Sequence, residues 1–258
     1  EPVFTIGHVI RPQDIGGLLA LGITKTPVFK RPKIGVISTG DELINPEIEP
    51  AKGQIRDINT YTISALIQKY GGEPITFGIN KDEFEVQLET AKKALSECSI
   101  VVISAGSSTS SRDLTSQVIS SLGEPGILMH GLAHKPGKPS IIGSAQDKLI
   151  FGLPGNPVSA IIIFELLVKR AIQNILCSPK ELIAPTKAIL TADIPSINGR
   201  EEHVPVKLFN SRSGDLMAEP VFGKSNLIYT LIKSDGIVVV PINKSGIYSG
   251  DLVDVLIN

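Results

Sequence analysis

Lys33-Ile-Gly-Val-Ile-Ser38, with the run Asn59 to Tyr70 that follows it, decides the fold of this 258-residue chain. The hexapeptide is short, apolar and rich in β-branched residues, which reads as a buried strand. In the later run, Ile63, Leu66, Ile67 and Tyr70 fall at i, i+3, i+4 and i+7, so they line one face of a helix that Gly71-Gly72 stops. Pro74 to Ile79 reads as a second strand. Asp82 is placed to cap a helix whose Leu88, Ala91 and Leu95 share a face. Ser99 to Ser104 carries an Ile-Val-Val-Ile core and is the third strand. Asp113 is placed to cap a helix ending near Leu122. Short strands follow at Ile127–Leu132, Ser140–Ile142 and Lys148–Phe151. Asn156-Pro157 then opens a long helix to about Leu176, with Asn at the N-cap and Pro in the first turn. This alternation predicts an α/β fold: a mostly parallel sheet with helices on both faces. Strands that are continuously apolar rather than alternating agree with burial on both sides.

Outward from that core the sequence changes character. Residues 1–30 read as a strip or connector, the remnant of a preceding domain, with a short helix within Ile15–Ile23. From Ser178-Pro179 onward the segments are short and alternating, separated by turns such as Asn198-Gly199, Ser213-Gly214-Asp215 and Ser249-Gly250-Asp251. They predict a small all-β barrel with one short helix near Asn226–Lys233. The expected division is 1–30, 31–178 and 179–258. A net charge of -1, from 25 basic and 26 acidic residues, gives no general drive toward nucleic acid or an anionic membrane surface. The longest apolar stretch, Val158 to Val168, contains Glu165 and is shorter than the ~20 residues a membrane span needs. Cys98 and Cys177 form no CxxC pair, which fits a reducing compartment, and both read as buried small hydrophobes. Glu1 opens in mid-pattern with no leader, as expected of a piece of a longer protein.

Ligands of open parallel sheets bind outside the C-terminal ends of the strands. The segments leaving those ends are Ser38-Thr39-Gly40-Asp41-Glu42, Asn80-Lys81-Asp82, the Ser/Thr-rich run Ser104 to Asp113, and Gly152-Leu153-Pro154-Gly155-Asn156-Pro157-Val158-Ser159. They carry carboxylates, hydroxyls and glycines with little bulk. Backbone N–H groups and hydroxyls at 104–111, leading into a helix, suit a phosphate, with Arg112 adding charge; a polar surface loop with an N-cap would look the same. Glu42, Asp82 and Asp113 can share a hard cation such as Mg²⁺, and capping alone also explains the two aspartates. His134-Lys135-Pro136-Gly137-Lys138-Pro139 holds two lysines on a stiff turn, either for one anion or as a solvated surface turn. Among the histidines at 8, 130, 134 and 203, no zinc-site spacing is visible.

Taken together, Thr39-Gly-Asp-Glu-Leu43, Gly53-Gln-Ile-Arg-Asp-Ile-Asn59, the 104–113 loop, Lys135-Pro-Gly-Lys-Pro139 and Leu153-Pro-Gly-Asn-Pro-Val-Ser-Ala160 occur in one order. In that order they resemble the molybdopterin molybdenumtransferase family, which includes bacterial MoeA and the C-terminal domain of gephyrin. The resemblance implies a molybdopterin-binding α/β domain followed by a small barrel. It implies a cytoplasmic enzyme, a homodimer when full length, that inserts molybdate into adenylylated molybdopterin and releases AMP with Mg²⁺. It assigns Glu42, Asp82 and Asp113 to the metal and adenylate, and Lys135 and Lys138 to molybdate and phosphates. Thr39, Gly40, Ser104, Gly106 and Ser108 fall to the pterin phosphates, and Pro154, Gly155, Asn156 and Ser159 to the pocket floor. Ala105 and Ser110 stand where the family has glycines, and most of the family's N-terminal region does not match. A non-catalytic molybdopterin-binding or carrier module, or a scaffold, is therefore the competing expectation.

Overall fold

The computed structural model describes residues 3–105, 109–179 and 184–257, without the side chains of 109–112. Helix α1 is Pro12–Ala20. Strands β1 (Lys33–Thr39), β2 (Leu43–Ile44) and β3 (Ile55–Arg56) precede α2 (Asn59–Lys69), and β4 (Glu73–Asn80) precedes α3 (Phe84–Glu97). Strand β5 (Ile100–Ser104) leads to α4 (Thr109–Ser121), then β6 (Pro125–His130), β7 (His134–Lys135), β8 (Ile141–Ala145) and β9 (Lys148–Leu153). One long helix follows, made of α5 (Pro157–Ile163), a π-helical stretch at Phe164–Val168 and α6 (Lys169–Ile175).

The main sheet runs β4-β1-β5-β9-β8-β6. Its first four strands are mutually parallel, and β8 is antiparallel to both neighbours. Period-2 alternation sends Ile34, Val36, Ile100 and Val102 to an apolar cluster beneath α2 and the long helix. Ile37, Val101 and Ile103 point to a second cluster beneath α3 and α4. Both faces are covered, which is why these strands read as unbroken apolar runs. Glu165 is accommodated in its apolar helix because the Tyr70 hydroxyl donates to its carboxylate at 2.6 and 2.7 Å, with Lys169 Nζ 3.7 Å away.

The C-terminal part contains β10 (Thr186–Leu190), β11 (Ile194–Pro195), β12 (Glu201–Asn210), β13 (Leu216–Pro220), α7 (Tyr229–Ile232), β14 (Gly236–Val240), β15 (Gly246–Ile247) and β16 (Leu252–Ile257). Five strands close in the order β13-β10-β16-β14-β12, with β12 pairing back onto β13. The barrel interior is a third apolar cluster, including Val204, Val206, Val238, Val240 and Val255. Strand β7 joins this barrel from outside: His134 pairs with Glu201 and Lys135 with Glu202, parallel to β12. No helix among the described residues is long and apolar enough to cross a membrane.

Three local expectations are corrected. Helix α3 starts one residue later than expected, with Glu83 at the N-cap; Asp82 precedes it and accepts Gln87 Nε2 at 3.3 Å. Helix α4 begins at Thr109, so Asp113 is an exposed residue within the helix rather than its cap. Cys98 is buried but Cys177 is exposed, because it lies past the end of α6 with φ of 50°. At the N-terminus, α1 also starts earlier than expected. Asp14 accepts the Arg11 backbone N–H (2.9 Å) and guanidinium, and His8 lies 2.7 Å from it. The neighbouring guanidinium holds the Asp14 carboxyl well below the usual carboxylate range.

Candidate functional site

The C-terminal ends of β1, β4, β5 and β9 lie along one edge of the sheet and are knitted by backbone and side-chain bonds. Gly40 N–H donates to Asn80 O (3.1 Å) and Ala105 N–H to Leu153 O (3.1 Å). Asn59, the first residue of α2, donates through Nδ2 to Ser104 Oγ (2.8 Å) and Gly155 O (2.9 Å). One amide thus ties the end of β5 to the loop after β9. Behind it, Ser38 Oγ meets Thr60 Oγ1 at 2.8 Å, and Asp57 accepts both Ser38 Oγ and the Thr60 backbone N–H. Thr39 Oγ1 and Asn59 Oδ1 are buried without a hydrogen-bond partner among the described residues. Such groups are costly unless a ligand or water completes them. Gly106 and Ser108 lie outside the described residues.

The three carboxylates are held loosely by comparison. Glu42 is half-buried against the backbone at Gly40, where an added Cβ would stand 2.9 Å from Glu42 Oε2. Asp82 donates its backbone N–H to Asp41 Oδ1 at 3.2 Å. Asp113 is exposed. Among the described residues, these three do not form a set of mutually close ligand atoms; the set that does is His134, Glu201 and His203.

The lysine loop is the better ordered half. Gly137 has φ of 111°, and a Cβ there would meet Ile163 Cδ1 at 2.4 Å, so only glycine lets the loop lie against α5. Lys135 Nζ pairs with Glu202 Oε1 at 2.7 Å, and Lys138 is exposed. Pro154 and Ser159 are buried below, and Asn156, at the N-cap of α5, donates Nδ2 to Ser225 Oγ at 3.0 Å. A cavity of about 680 Å³ opens between this edge and the barrel. Lys135, Lys138, Pro154, Asn156 and Ser159 line one wall; Arg200, Lys224 and Ser225 line the other. Those last three are absent from the sequence-derived set. Asn198-Gly199-Arg200 and Gly223-Lys224-Ser225 read as turns, and no local pattern announces that they face a lysine loop some 60 to 90 positions earlier.

The chain thus joins an α/β domain to a small barrel, with a cavity lined by residues of both. A family model described as "Probable molybdopterin binding domain" matches residues 35–174. One described as "MoeA C-terminal region (domain IV)" matches residues 187–257. The chain is 31% identical over 261 residues to the molybdopterin molybdenumtransferase of Haemophilus influenzae, covering 99% of this chain and 63% of that protein. It is 30% identical over 256 residues to the molybdopterin molybdenumtransferase of Bacillus subtilis, covering 99% of this chain and 59% of that protein. A crystal structure of the molybdopterin biosynthesis MoeA protein of Pyrococcus horikoshii superposes with a TM-score of 0.85 at 36% identity, covering 98% of this chain and 61% of that one. The chain belongs to the molybdopterin molybdenumtransferase (MoeA) family of molybdenum cofactor biosynthesis. It spans about 60% of the length of these relatives.

Proposed function

We propose that this chain forms the pterin-binding core of an enzyme that inserts molybdate into adenylylated molybdopterin with release of AMP. The observation that carries the reading is the cavity flanked by Lys135, Lys138, Arg200 and Lys224, a concentration of cationic groups in a chain of net charge -1. Molybdate and phosphates are the anions such a wall suits, and arginine and lysine present complementary donor geometries to them. Ser104, Thr39 and Gly40, with Gly106 and Ser108 of the adjoining loop, would receive the pterin phosphate. Pro154, Gly155, Asn156 and Ser159 would form the floor beneath the pterin. Developing negative charge at the phosphate and molybdate oxygens would be stabilised by fixed cations in a partly water-excluded site.

Glu42, Asp82 and Asp113 are the residues that would hold Mg²⁺. Their oxygen-only donor set suits a hard cation that takes one or two protein carboxylates and completes its shell with water and substrate phosphates; on this reading they close on the ion from positions that do not form one ligand set among the described residues. When bound, Mg²⁺ supplies charge neutralisation at the phosphoanhydride oxygens. In the same reading the working protein is a cytoplasmic homodimer, its divisions fall at 1–30, 31–178 and 179–258, and it engages neither nucleic acid nor membrane. The test is AMP release from adenylylated molybdopterin with molybdate and Mg²⁺, using the full-length protein. Release that falls at least about tenfold on Lys138→Ala or Arg200→Ala, equivalent to about 1.4 kcal/mol, is expected. Ligand binding without AMP release would instead leave a binding or carrier module.

A further inference from the structure

Where β7 pairs with β12, His134 stands opposite Glu201. His203, two residues further along β12, returns to the same face. The two imidazole rings meet edge to face at 4.5 Å. His203 Nε2 lies 3.1 Å from Glu201 Oε1, and His134 Nε2 lies 4.0 Å from the same oxygen. One ligand atom from each residue fits within 4.8 Å of the others. We propose that His134, Glu201 and His203 form a binding site for one divalent transition-metal ion of the zinc class, at the junction between the lysine loop and the barrel.

Three further observations support this. His134 is 6% exposed, and its Nε2 has no hydrogen-bond partner among the described residues. Its other ring nitrogen, Nδ1, lies 2.6 Å from Pro136 O. A carbonyl can only accept, so Nδ1 carries the proton and Nε2 presents a lone pair toward His203 and Glu201. A backbone carbonyl in this role is the usual way of orienting a metal-bound histidine. Finally, Lys135 is paired with Glu202 at 2.7 Å, so it does not claim the Glu201 carboxylate.

Two imidazoles and one carboxylate suit Zn²⁺, and also Co²⁺ or Ni²⁺, better than Mg²⁺ or Ca²⁺, which prefer oxygen alone. Bonds of about 2.0–2.1 Å in a tetrahedron require ligand atoms roughly 3.3 Å apart; His203 Nε2 and Glu201 Oε1 already stand at 3.1 Å, so binding needs His134 to close on them by an ångström or so. The side chain of Glu201 is 44% exposed and leaves a route for the ion. Both histidines line the cavity. The fourth position therefore faces the cavity, open to water or to an anion oxygen. The bound ion would fasten β7 to β12 and add positive charge beside Lys135 and Lys138.

The inference does not depend on the proposed reaction, and its test needs no substrate. The full chain, stripped with a chelator, is titrated with Zn²⁺ by calorimetry and with Co²⁺ by visible spectroscopy. One Zn²⁺ per chain and the intense d–d bands of tetrahedral Co²⁺ are expected. His134→Gln and His203→Gln should each weaken Zn²⁺ binding by about 100-fold or more, beyond what loss of an orienting partner causes. Glu201→Gln, at a partly exposed position that the fold tolerates, should weaken it by at least about tenfold with an unchanged circular dichroism spectrum. Absence of stoichiometric binding, an octahedral Co²⁺ spectrum, or unaltered affinity in the folded Glu201→Gln variant overturns the proposal.

Discussion

The lysine loop and the carboxylate loops leave the same sheet, yet the structure holds them in different ways. Lys135 is fixed by Glu202, Gly137 is pressed against Ile163, and the loop's first two residues are a strand of the barrel. Among the described residues, Glu42, Asp82 and Asp113 are not gathered into one set of close ligand atoms, and Asp113 is exposed. A cation wall built in advance lowers the entropic cost of holding a small anion. The difference is one of anchoring: the lysine loop is tied to the barrel and to α5, whereas the three carboxylates do not come together as one set of ligand atoms among the described residues.

The largest effect expected is from Phe164→Ala, which removes a fully buried ring from the long helix beneath both halves. It should cost about 3–5 kcal/mol in urea unfolding and abolish the comparison by releasing the floor at 154–159. Gly137→Ala strikes the lysine side alone. Its added methyl meets Ile163 and forces a backbone conformation that alanine disfavours, so a loss of about 1–3 kcal/mol is expected, with weaker anion binding. Lys135→Ala should reduce molybdate affinity by about tenfold, because it removes one cation and leaves the Glu202 carboxylate, only 11% exposed, with the Ser196 hydroxyl at 2.8 Å but without its ion-pair partner. On the other side, Asp113→Ala should change stability by no more than about 0.5 kcal/mol, as exposed substitutions do, while weakening Mg²⁺-dependent ligand binding. Equal stability losses from Gly137→Ala and Asp113→Ala would dissolve the distinction. The smallest effect is chemical: burial pushes the Cys98 thiol up to about 11, while Cys177 is exposed. Alkylation of the native chain at pH 8 should label Cys177 rapidly and Cys98 only on unfolding.

The sheet was legible because its code is local. Ile34, Val36, Ile100 and Val102 alternate with Ile37, Val101 and Ile103 to two covered faces, and each helix carries its own 3.6-residue stripe. The five-strand barrel was legible as a class through its turns. Helix starts were less so: Asp82 and Asp113 satisfy the capping rule on paper, but α3 begins at Phe84 with Glu83 at its N-cap, and α4 begins at Thr109. For the site, motif order marks the loops that leave the strands. It does not mark Arg200, Lys224 or Ser225, nor the meeting of His134 with His203, which depends on pairing between strands β7 and β12 that are far apart in sequence. Spacing rules find ligands only when neighbours in space are also near in sequence.

The central claim is that the two walls of one cavity, from sheet edge and barrel, bind a single anion together. Calorimetric titration of the chain with molybdate, comparing wild type with Lys138→Ala, Arg200→Ala and the double variant, tests it most directly. The account predicts saturable binding to wild type, a loss of about tenfold in each single variant, and a double loss smaller than the product because the side chains share one ligand. Unchanged molybdate affinity in the double variant, or no saturable binding by wild type, would contradict it.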